Sequence, residues 1–115
     1  MNAEADSREL TPERVAELHS EGAIELVDVR EPHEHDAGRI AGARHLQFSE
    51  LSQAAETIDR DRPVVFYCRV GARSALATQA FTASGFDARN MAGGLVAWAE
   101  KGLPLEPDGG IVAAH

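Results

Sequence analysis

The single cysteine of the chain, Cys68, lies where a fully apolar run ends and a helical pattern begins. The residues after it are Arg69, Val70, Gly71, Ala72, Arg73 and Ser74. A turn from a strand into a helix leaves backbone N–H groups unpaired, and with the positive end of the helix dipole these groups bind anions. Gly71 can adopt the backbone angles of a tight loop, while Arg69 and Arg73 add two permanent positive charges. The sequence therefore predicts an anion-binding loop around the thiol.

A cysteine in this setting should lose its proton easily. Thiols at helix N-termini beside cations have pKa values of about 3.5–7.5, against about 8.5 for a free cysteine. The thiolate is a nucleophile, and the same N–H groups can stabilise a negatively charged adduct on sulfur. We therefore predict a thiolate that attacks an anionic substrate containing sulfur or phosphorus. The alternative is that Cys68 is an ordinary buried residue and that both arginines form surface ion pairs.

The length of the loop helps to distinguish sulfur transfer from phosphate-ester hydrolysis. Tyrosine-type phosphatases follow a Cys-x5-Arg pattern, whereas only four residues separate Cys68 from Arg73. The shorter loop makes a tighter cradle, and this spacing favours sulfur transfer over phosphate-ester hydrolysis.

Around this loop, the pattern of apolar residues predicts alternating helices and strands. Helices are predicted at 11–22, 49–58, 74–84 and 94–101, a short helical turn and loop at 33–42, and strands at 23–29, 43–46, 64–67 and 86–90. Thr11 and Pro12 are a typical N-cap and first helical residue. In the helix after the loop, we expect Leu76, Ala80 and Phe81 to face the core.

This alternation predicts an α/β fold in three layers, with a mainly parallel central sheet and helices on both faces. The run at 64–67 is apolar throughout, which is typical of a strand covered on both faces. Ligands of such sheets bind outside the carboxyl ends of the strands, where Cys68 lies. We expect one domain over residues 10–104, with flexible tails at 1–9 and 105–115.

Composition limits the function further. The chain has 115 residues, 43% of them hydrophobic, which suits one globular domain. Its 11 Lys+Arg against 19 Asp+Glu give a net charge of −8, which argues against nucleic acid and anionic membranes as partners. No apolar run approaches the about 20 residues of a membrane helix, and the start of the chain is polar and acidic, so we expect a cytoplasmic protein. One cysteine excludes an internal disulfide and a cysteine-based zinc finger.

Three motifs in order resemble the single-domain type of the rhodanese-like family of sulfurtransferases. They are Asp28-Val29-Arg30-Glu31 with Gly38-Arg39-Ile40-Ala41-Gly42-Ala43, the loop at 68–73, and Gly93-Gly94-Leu95-Val96-Ala97-Trp98. The resemblance covers roughly residues 11–104. Members often carry His and Pro where this chain has Arg39 and Ala41, in a stretch expected to be scaffold.

The resemblance implies a double displacement without a cofactor. Cys68 would take the outer sulfur of a small anionic donor such as thiosulfate, become a persulfide, and pass the sulfur to a thiol or to cyanide. The backbone of residues 69–73 would hold the persulfide charge, and the guanidinium groups of Arg69 and Arg73 would orient the donor. Asp28, Arg30 and Ser74 would support the site. The alternative for Asp28 and Arg30 is a surface ion pair worth about 0–1 kcal/mol.

Other functions stay open at this level. The same fold could serve as a non-catalytic or regulatory binding module, or as a persulfide carrier whose acceptor is a partner protein. The sequence names neither the physiological donor nor the acceptor, although a second cysteine in the chain is not available as acceptor. The run His33-Glu34-His35-Asp36 could suggest a metal, but four adjacent polar residues are more typical of a solvated surface, so we predict no metal site.

Overall fold

A computed structural model of the protein describes residues 8–114, and residues 1–7 of the predicted tail at 1–9 lie outside the described residues. Five parallel strands form one sheet in the order β1-β5-β4-β2-β3. The strands are β1 Glu9–Leu10, β2 Glu25–Asp28, β3 Arg44–His45, β4 Val64–Tyr67 and β5 Ala88–Met91. The helices are α1 Pro12–Ser20, α2 Pro32–Ala37, α3 Leu51–Ala54, α4 Ala72–Ala83 and α5 Gly94–Glu100, with 3-10 turns at Phe48–Glu50 and Ala55–Thr57 flanking α3.

The central strand β4 divides the core into two layers. All four of its residues are buried, and alternate residues enter different clusters. Val64 and Phe66 pack with Phe81 of α4 on one face, while Val65 and Tyr67 pack with the opposite cluster that contains residues of α1 and α5. This period of two is what a strand covered on both faces requires. The predicted α/β fold with helices on both faces of a parallel sheet is confirmed.

Helix α4 corrects one prediction about the core. Leu76 and Ala80 were expected to face inward, but both are exposed, and Leu76 has 56% of its surface accessible. The buried residues of this helix are Ser74, Ala77, Thr78 and Phe81. Their spacing of three and four residues marks one face of a helix. The inward face therefore carries two hydroxyl groups; Phe81 faces the core as predicted, whereas Leu76 and Ala80 do not.

Backbone pairing extends past both ends of the predicted domain. Glu9 and Leu10, at the predicted boundary of the N-terminal tail, form the edge strand β1 and pair with Asn90 and Met91. The described part of the predicted loose segment at 105–115 lies against the domain. Its Glu106 forms an antiparallel bridge with Arg39 through N···O distances of 2.9 and 2.7 Å.

None of the helices within residues 8–114 has the length and apolar character needed to cross a bilayer.

The corrected face of α4 gives a stability prediction. The Phe81 ring is 6% exposed and lies 4.9 Å from the rings of both Phe66 and Phe86. Phe81→Ala should lower the free energy of unfolding by about 3–5 kcal/mol because it leaves a cavity. Leu76→Ala should change it by less than about 0.5 kcal/mol, as is usual for an exposed position. Urea denaturation measures both, and equal losses would contradict this orientation of α4.

Candidate active site

Cys68 lies where the predicted loop was expected, directly after β4 and at the carboxyl edge of the sheet. Its side chain is fully buried. The loop ends at Gly71, which precedes α4 with a φ of 106°, in the left-handed region that favours glycine. The neighbouring strand is tied to the loop because the Val29 N–H donates to the Tyr67 carbonyl at 3.0 Å. The strand ends and the start of α4 thus fix the position of the sulfur.

The two glycines at the start of α5, Gly93 as its N-cap and Gly94 as its first residue, hold the loop from the other side. The N–H groups of Leu95 and Val96 donate to the carbonyls of Cys68 and Arg69 at 2.9 and 3.0 Å. A Cβ atom on Gly94 would lie 2.5 Å from the Arg69 carbonyl oxygen and 2.6 Å from that of Cys68. Only glycine therefore permits this close approach of α5. The Gly93-Gly94 motif acts on the site through backbone packing.

Hydrogen-bond donors surround the Cys68 sulfur. The Gly71 N–H donates to Sγ at 3.1 Å, and the Ser74 hydroxyl lies 3.4 Å from it. Burial alone would raise the pKa of the thiol, but hydrogen bonds from the Ser74 hydroxyl and from the N–H groups of Ser74, Gly71 and Arg73 outweigh it. The pKa of Cys68 is therefore lower than its ordinary value. These donors belong to the second half of the predicted anion-binding loop at 69–73 and to Ser74.

Arg73 has a buried partner that the sequence analysis did not predict. Its Nη1 and Nη2 donate to Oε1 and Oε2 of Glu34 at 2.9 and 3.0 Å. Glu34 is fully buried, and the Glu31 N–H also donates to it at 3.0 Å. Burial would raise the pKa of Glu34, but its hydrogen bonds, above all the pair from Arg73, lower it. The Arg73 guanidinium, which was expected to orient a sulfur donor, is thus already paired with the Glu34 carboxylate.

A second buried ion pair lies at the end of β2. Arg30 donates to both carboxylate oxygens of Asp28, from Nε at 2.9 Å and from Nη2 at 2.7 Å, and both side chains are fully buried. The Tyr67 hydroxyl donates to Asp28 at 3.2 Å, and His35 Nδ1 lies 2.9 Å from the same carboxylate. The interpretation of Asp28 and Arg30 as a surface ion pair is therefore wrong. Burial opposes ionisation of Asp28, but Arg30 holds the pKa of that carboxyl below its usual value.

The two ion pairs influence one another and the strand that carries the cysteine. The positive charge of Arg30 helps to lower the pKa of Glu34, and the Arg30 guanidinium lies 5.5 Å from the centre of the Tyr67 ring. Tyr67 precedes Cys68 in the chain. The Asp28–Arg30 pair therefore braces the end of β4 from the side of β2, while the Glu34–Arg73 pair braces the loop itself.

The run at 33–36 was interpreted as a solvated surface, and this is wrong for two of its members. Glu34 binds Arg73, and His35 contacts Asp28 and stacks on His45 with ring centroids 4.3 Å apart. A signal was present, because Pro32 at the first helical position and Glu34 at the third are typical of a helix start. A short helix there turns the consecutive residues Glu34 and His35 toward the protein and leaves His33 and Asp36 exposed.

Asn90 of β5 is a further residue that the sequence analysis missed. It is 3% exposed, and its Nδ2 donates to both carboxylate oxygens of Glu9 at 3.0 and 3.1 Å and to the Gly71 carbonyl at 3.4 Å. Because a carboxylate only accepts hydrogen bonds, Glu9 fixes the amide with its NH2 group toward the loop. Asn90 thereby contacts Gly71, whose N–H donates to the Cys68 sulfur. Its role depends on β1, which was not predicted.

The remaining predicted loop residues lie toward the outside. Arg69 is half-buried, and its carbonyl is bound by α5. The side chains of Val70 and Ala72 are exposed. A cavity of about 340 Å³ lies beside the loop; it is lined by Val29, Glu31, Gln47, Phe48, Ser49 and Arg73. Arg73 lines this cavity and its backbone N–H acts on the Cys68 sulfur, so the cavity and the loop around the sulfur share this residue.

Comparison with known proteins agrees with this geometry. Residues 11–101 match the family described as rhodanese-like domain. A sulfurtransferase of Allochromatium vinosum is 38% identical over 108 residues, which cover 92% of this chain and 97% of that protein. The Bacillus subtilis protein YqhL is 40% identical over 78 residues, which cover 67% of this chain and 62% of that protein. The crystal structure of a rhodanese-related protein from Thermoplasma volcanium superposes with a TM-score of 0.80 at 31% identity, covering 85% of this chain and 96% of that chain.

The hydrogen bonds to the sulfur predict how Cys68 reacts with pH. Its alkylation rate with iodoacetamide should rise with pH around a midpoint below that of a free cysteine, because only the thiolate reacts. Ser74→Ala removes one donor and should move the midpoint to higher pH. Ser84→Ala, an exposed hydroxyl just after the same helix, should leave it in place. A midpoint that stays or falls in Ser74→Ala would contradict the role of that hydroxyl.

The Asp28–Arg30 pair gives a prediction for stability. Asp28→Asn leaves the Arg30 charge buried without its counter-charge and should cost about 3–5 kcal/mol in the free energy of unfolding. Because the pKa of Asp28 is lower in the folded state, the pair stabilises the wild type above pH about 4. This stability is lost as the pH falls through the folded-state value, and Asp28→Asn should lack this part of the acid sensitivity.

A matched control is the exposed pair of Arg14 and Glu17, whose side chains are 54% and 62% accessible. Glu17→Gln should leave the urea midpoint unchanged within error, as is usual for surface pairs. Equal losses from Asp28→Asn and Glu17→Gln would show that burial of the first pair has no energetic consequence.

Proposed function

This chain belongs to the rhodanese-like domain family, and from that premise we propose that it is a sulfurtransferase that carries sulfane sulfur on Cys68. The observation that carries the proposal is a fully buried thiol whose sulfur accepts from the Gly71 N–H at 3.1 Å and lies 3.4 Å from the Ser74 hydroxyl, an arrangement that lowers its pKa. Relatives that are named sulfurtransferases support it. We write the reaction with thiosulfate as the sulfur donor.

In the first half-reaction, the Cys68 thiolate attacks the outer sulfur of thiosulfate. The sulfur–sulfur bond of the donor breaks, its electron pair leaves with sulfite, and a Cys68 persulfide remains. The persulfide is an anion like the thiolate, so the N–H groups of Gly71, Arg73 and Ser74 are suited to stabilise it. No metal or organic cofactor enters this step.

In the second half-reaction, a thiophilic acceptor removes the outer sulfur. A thiolate or cyanide attacks it, the sulfur–sulfur bond breaks, and Cys68 returns as thiolate. Because Cys68 is the only cysteine, the acceptor comes from another molecule. With cyanide, the product is thiocyanate. The acceptor could also be a partner protein, in which case the chain is a persulfide carrier with the same chemistry.

Asp28, Arg30 and Glu34 act as positioning residues in this proposal. None of them contacts the sulfur, but the two ion pairs hold the end of β4 and the loop. Arg73 contributes its backbone N–H to the sulfur and keeps its side chain on Glu34. The four-residue spacing between Cys68 and Arg73 favours sulfur transfer over ester hydrolysis.

The proposal predicts that Cys68 takes up sulfur. Purified, reduced protein incubated with thiosulfate should gain the mass of one sulfur atom, as measured by intact mass spectrometry. Cyanide should remove the added mass and release thiocyanate. Cys68→Ser should gain nothing, since it lacks the nucleophile. If neither thiosulfate nor polysulfide adds sulfur to the wild type, the chain is not a sulfurtransferase, and a binding module of the same fold becomes the better description.

A further inference from the structure

The cavity beside the loop exposes two opposite charges to whatever enters it. The exposed carboxylate of Glu31 and the partly exposed guanidinium of Arg73 both line it. They are close enough that the negative charge of Glu31 helps to raise the pKa of Arg73. Val29 and Phe48 supply apolar wall between the polar groups. With a volume of about 340 Å³, the cavity can hold a small organic molecule.

The net charge of these groups does not suit a dianion. Arg73 is paired with the buried carboxylate of Glu34, so together the two are neutral. Glu31 then leaves the cavity with a net negative charge, in a chain whose overall charge is −8. A dianionic donor meets repulsion here, whereas an ammonium group meets the solvent-exposed carboxylate of Glu31.

Arg73 nevertheless keeps donors for a carboxylate. A guanidinium has five N–H donors, and two of them are used on Glu34. Its side chain retains 21% exposure. A molecule with one ammonium and one carboxylate group therefore finds a partner for each charge on the cavity wall.

We propose that this cavity is the acceptor subsite and that it selects zwitterionic aminothiols, the class to which cysteine belongs. Glu31 pairs with the ammonium group and Arg73 with the carboxylate, while the thiol faces the loop. The inference rests on the proposed sulfur transfer and adds the chemical class of the acceptor. It makes Glu31 a specificity-determining residue outside the cysteine loop.

The transfer step needs no other reactant. The aminothiol gives up its proton and attacks the outer sulfur of the Cys68 persulfide. A new sulfur–sulfur bond forms in the acceptor as the bond to Cys68 breaks, and the electron pair returns to Cys68 Sγ. In sum, a persulfide anion and a thiol become a thiolate and an acceptor persulfide that carries the proton. Atoms and charge balance, and no external oxidant or reductant takes part.

Four thiols that differ in charge test the proposal. Cysteine carries both charges, cysteamine only the ammonium group, 3-mercaptopropionate only the carboxylate, and 2-mercaptoethanol neither. Wild type and Glu31→Gln are first loaded with sulfur, and the loading is verified by intact mass. The single-turnover rate of sulfur removal is then measured with each thiol. The ratio of variant to wild type cancels the intrinsic reactivity of each thiol.

Glu31→Gln should slow sulfur removal by cysteine and cysteamine about threefold to fivefold, the effect of one partly exposed ion pair. It should leave 2-mercaptoethanol unchanged and speed 3-mercaptopropionate. Glu50→Gln is the matched control, because it removes the same charge from an exposed carboxylate that does not line the cavity. It should not distinguish the four thiols. If Glu31→Gln changes all four rates by one factor, or leaves cysteine unaffected, the proposal is wrong.

A binding measurement separates this inference from the proposed function. S-methylcysteine keeps both charges but cannot accept sulfur, so it should slow the alkylation of unloaded Cys68 by iodoacetamide in the wild type. It should not do so in Glu31→Gln. Protection without any persulfide formation would overturn the sulfur-transfer function and leave the zwitterion site in place. If the persulfide forms but neither the sulfur-removal rates nor the protection from alkylation depend on Glu31, the zwitterion site is overturned and the sulfur-transfer function stands.

Discussion

A buried thiol with a lowered pKa, at the end of an apolar strand, is the constraint on which the rest of the site depends. Cys68 has no exposed surface, and an anion removed from water is unstable unless hydrogen-bond donors replace the solvent. Gly71 supplies the closest such donor at 3.1 Å, through a backbone conformation that favours glycine. Asn90 contacts the carbonyl of that glycine from β5, and Gly94 lets α5 approach the backbone of the loop. Elements distant in sequence therefore converge on the geometry of one turn.

Two cations near the loop, Arg73 and Arg30, do not supply free positive charge. Arg73 is paired with Glu34 and Arg30 with Asp28, and both carboxylates are fully buried. The sulfur is thus stabilised mainly by N–H and O–H dipoles, while the ion pairs fix the strands and the loop that present them. Removing one member of such a pair leaves an uncompensated buried charge, so these residues are coupled to the fold as strongly as to the site.

The parts of this arrangement that could be predicted from sequence are those set by local pattern. The apolar run of β4, the cysteine after it and the glycine of the turn are adjacent in the chain, so their chemistry follows from their order. Glu34 could not be placed in the same way, because its burial depends on a partner 39 positions away. Asn90 likewise meets Glu9 across 81 positions, through a strand of two residues that leaves no periodic signal. Leu76 was misplaced because hydrophobicity was weighed above the need of the loop for Ser74.

Dipolar stabilisation has a consequence for the proposed catalytic cycle. The thiolate and the persulfide of Cys68 each carry one negative charge, and a ring of N–H dipoles can stabilise either of them. A pair of free guanidinium groups would instead favour the doubly charged donor, and the enzyme would lose rate by binding its ground state. Because Glu34 neutralises Arg73, the site does not strongly favour the thiolate form of Cys68 over its persulfide form, or the reverse. Selection among small molecules then falls to the cavity outside the loop, where Glu31 and the remaining donors of Arg73 set the charge that an acceptor must match.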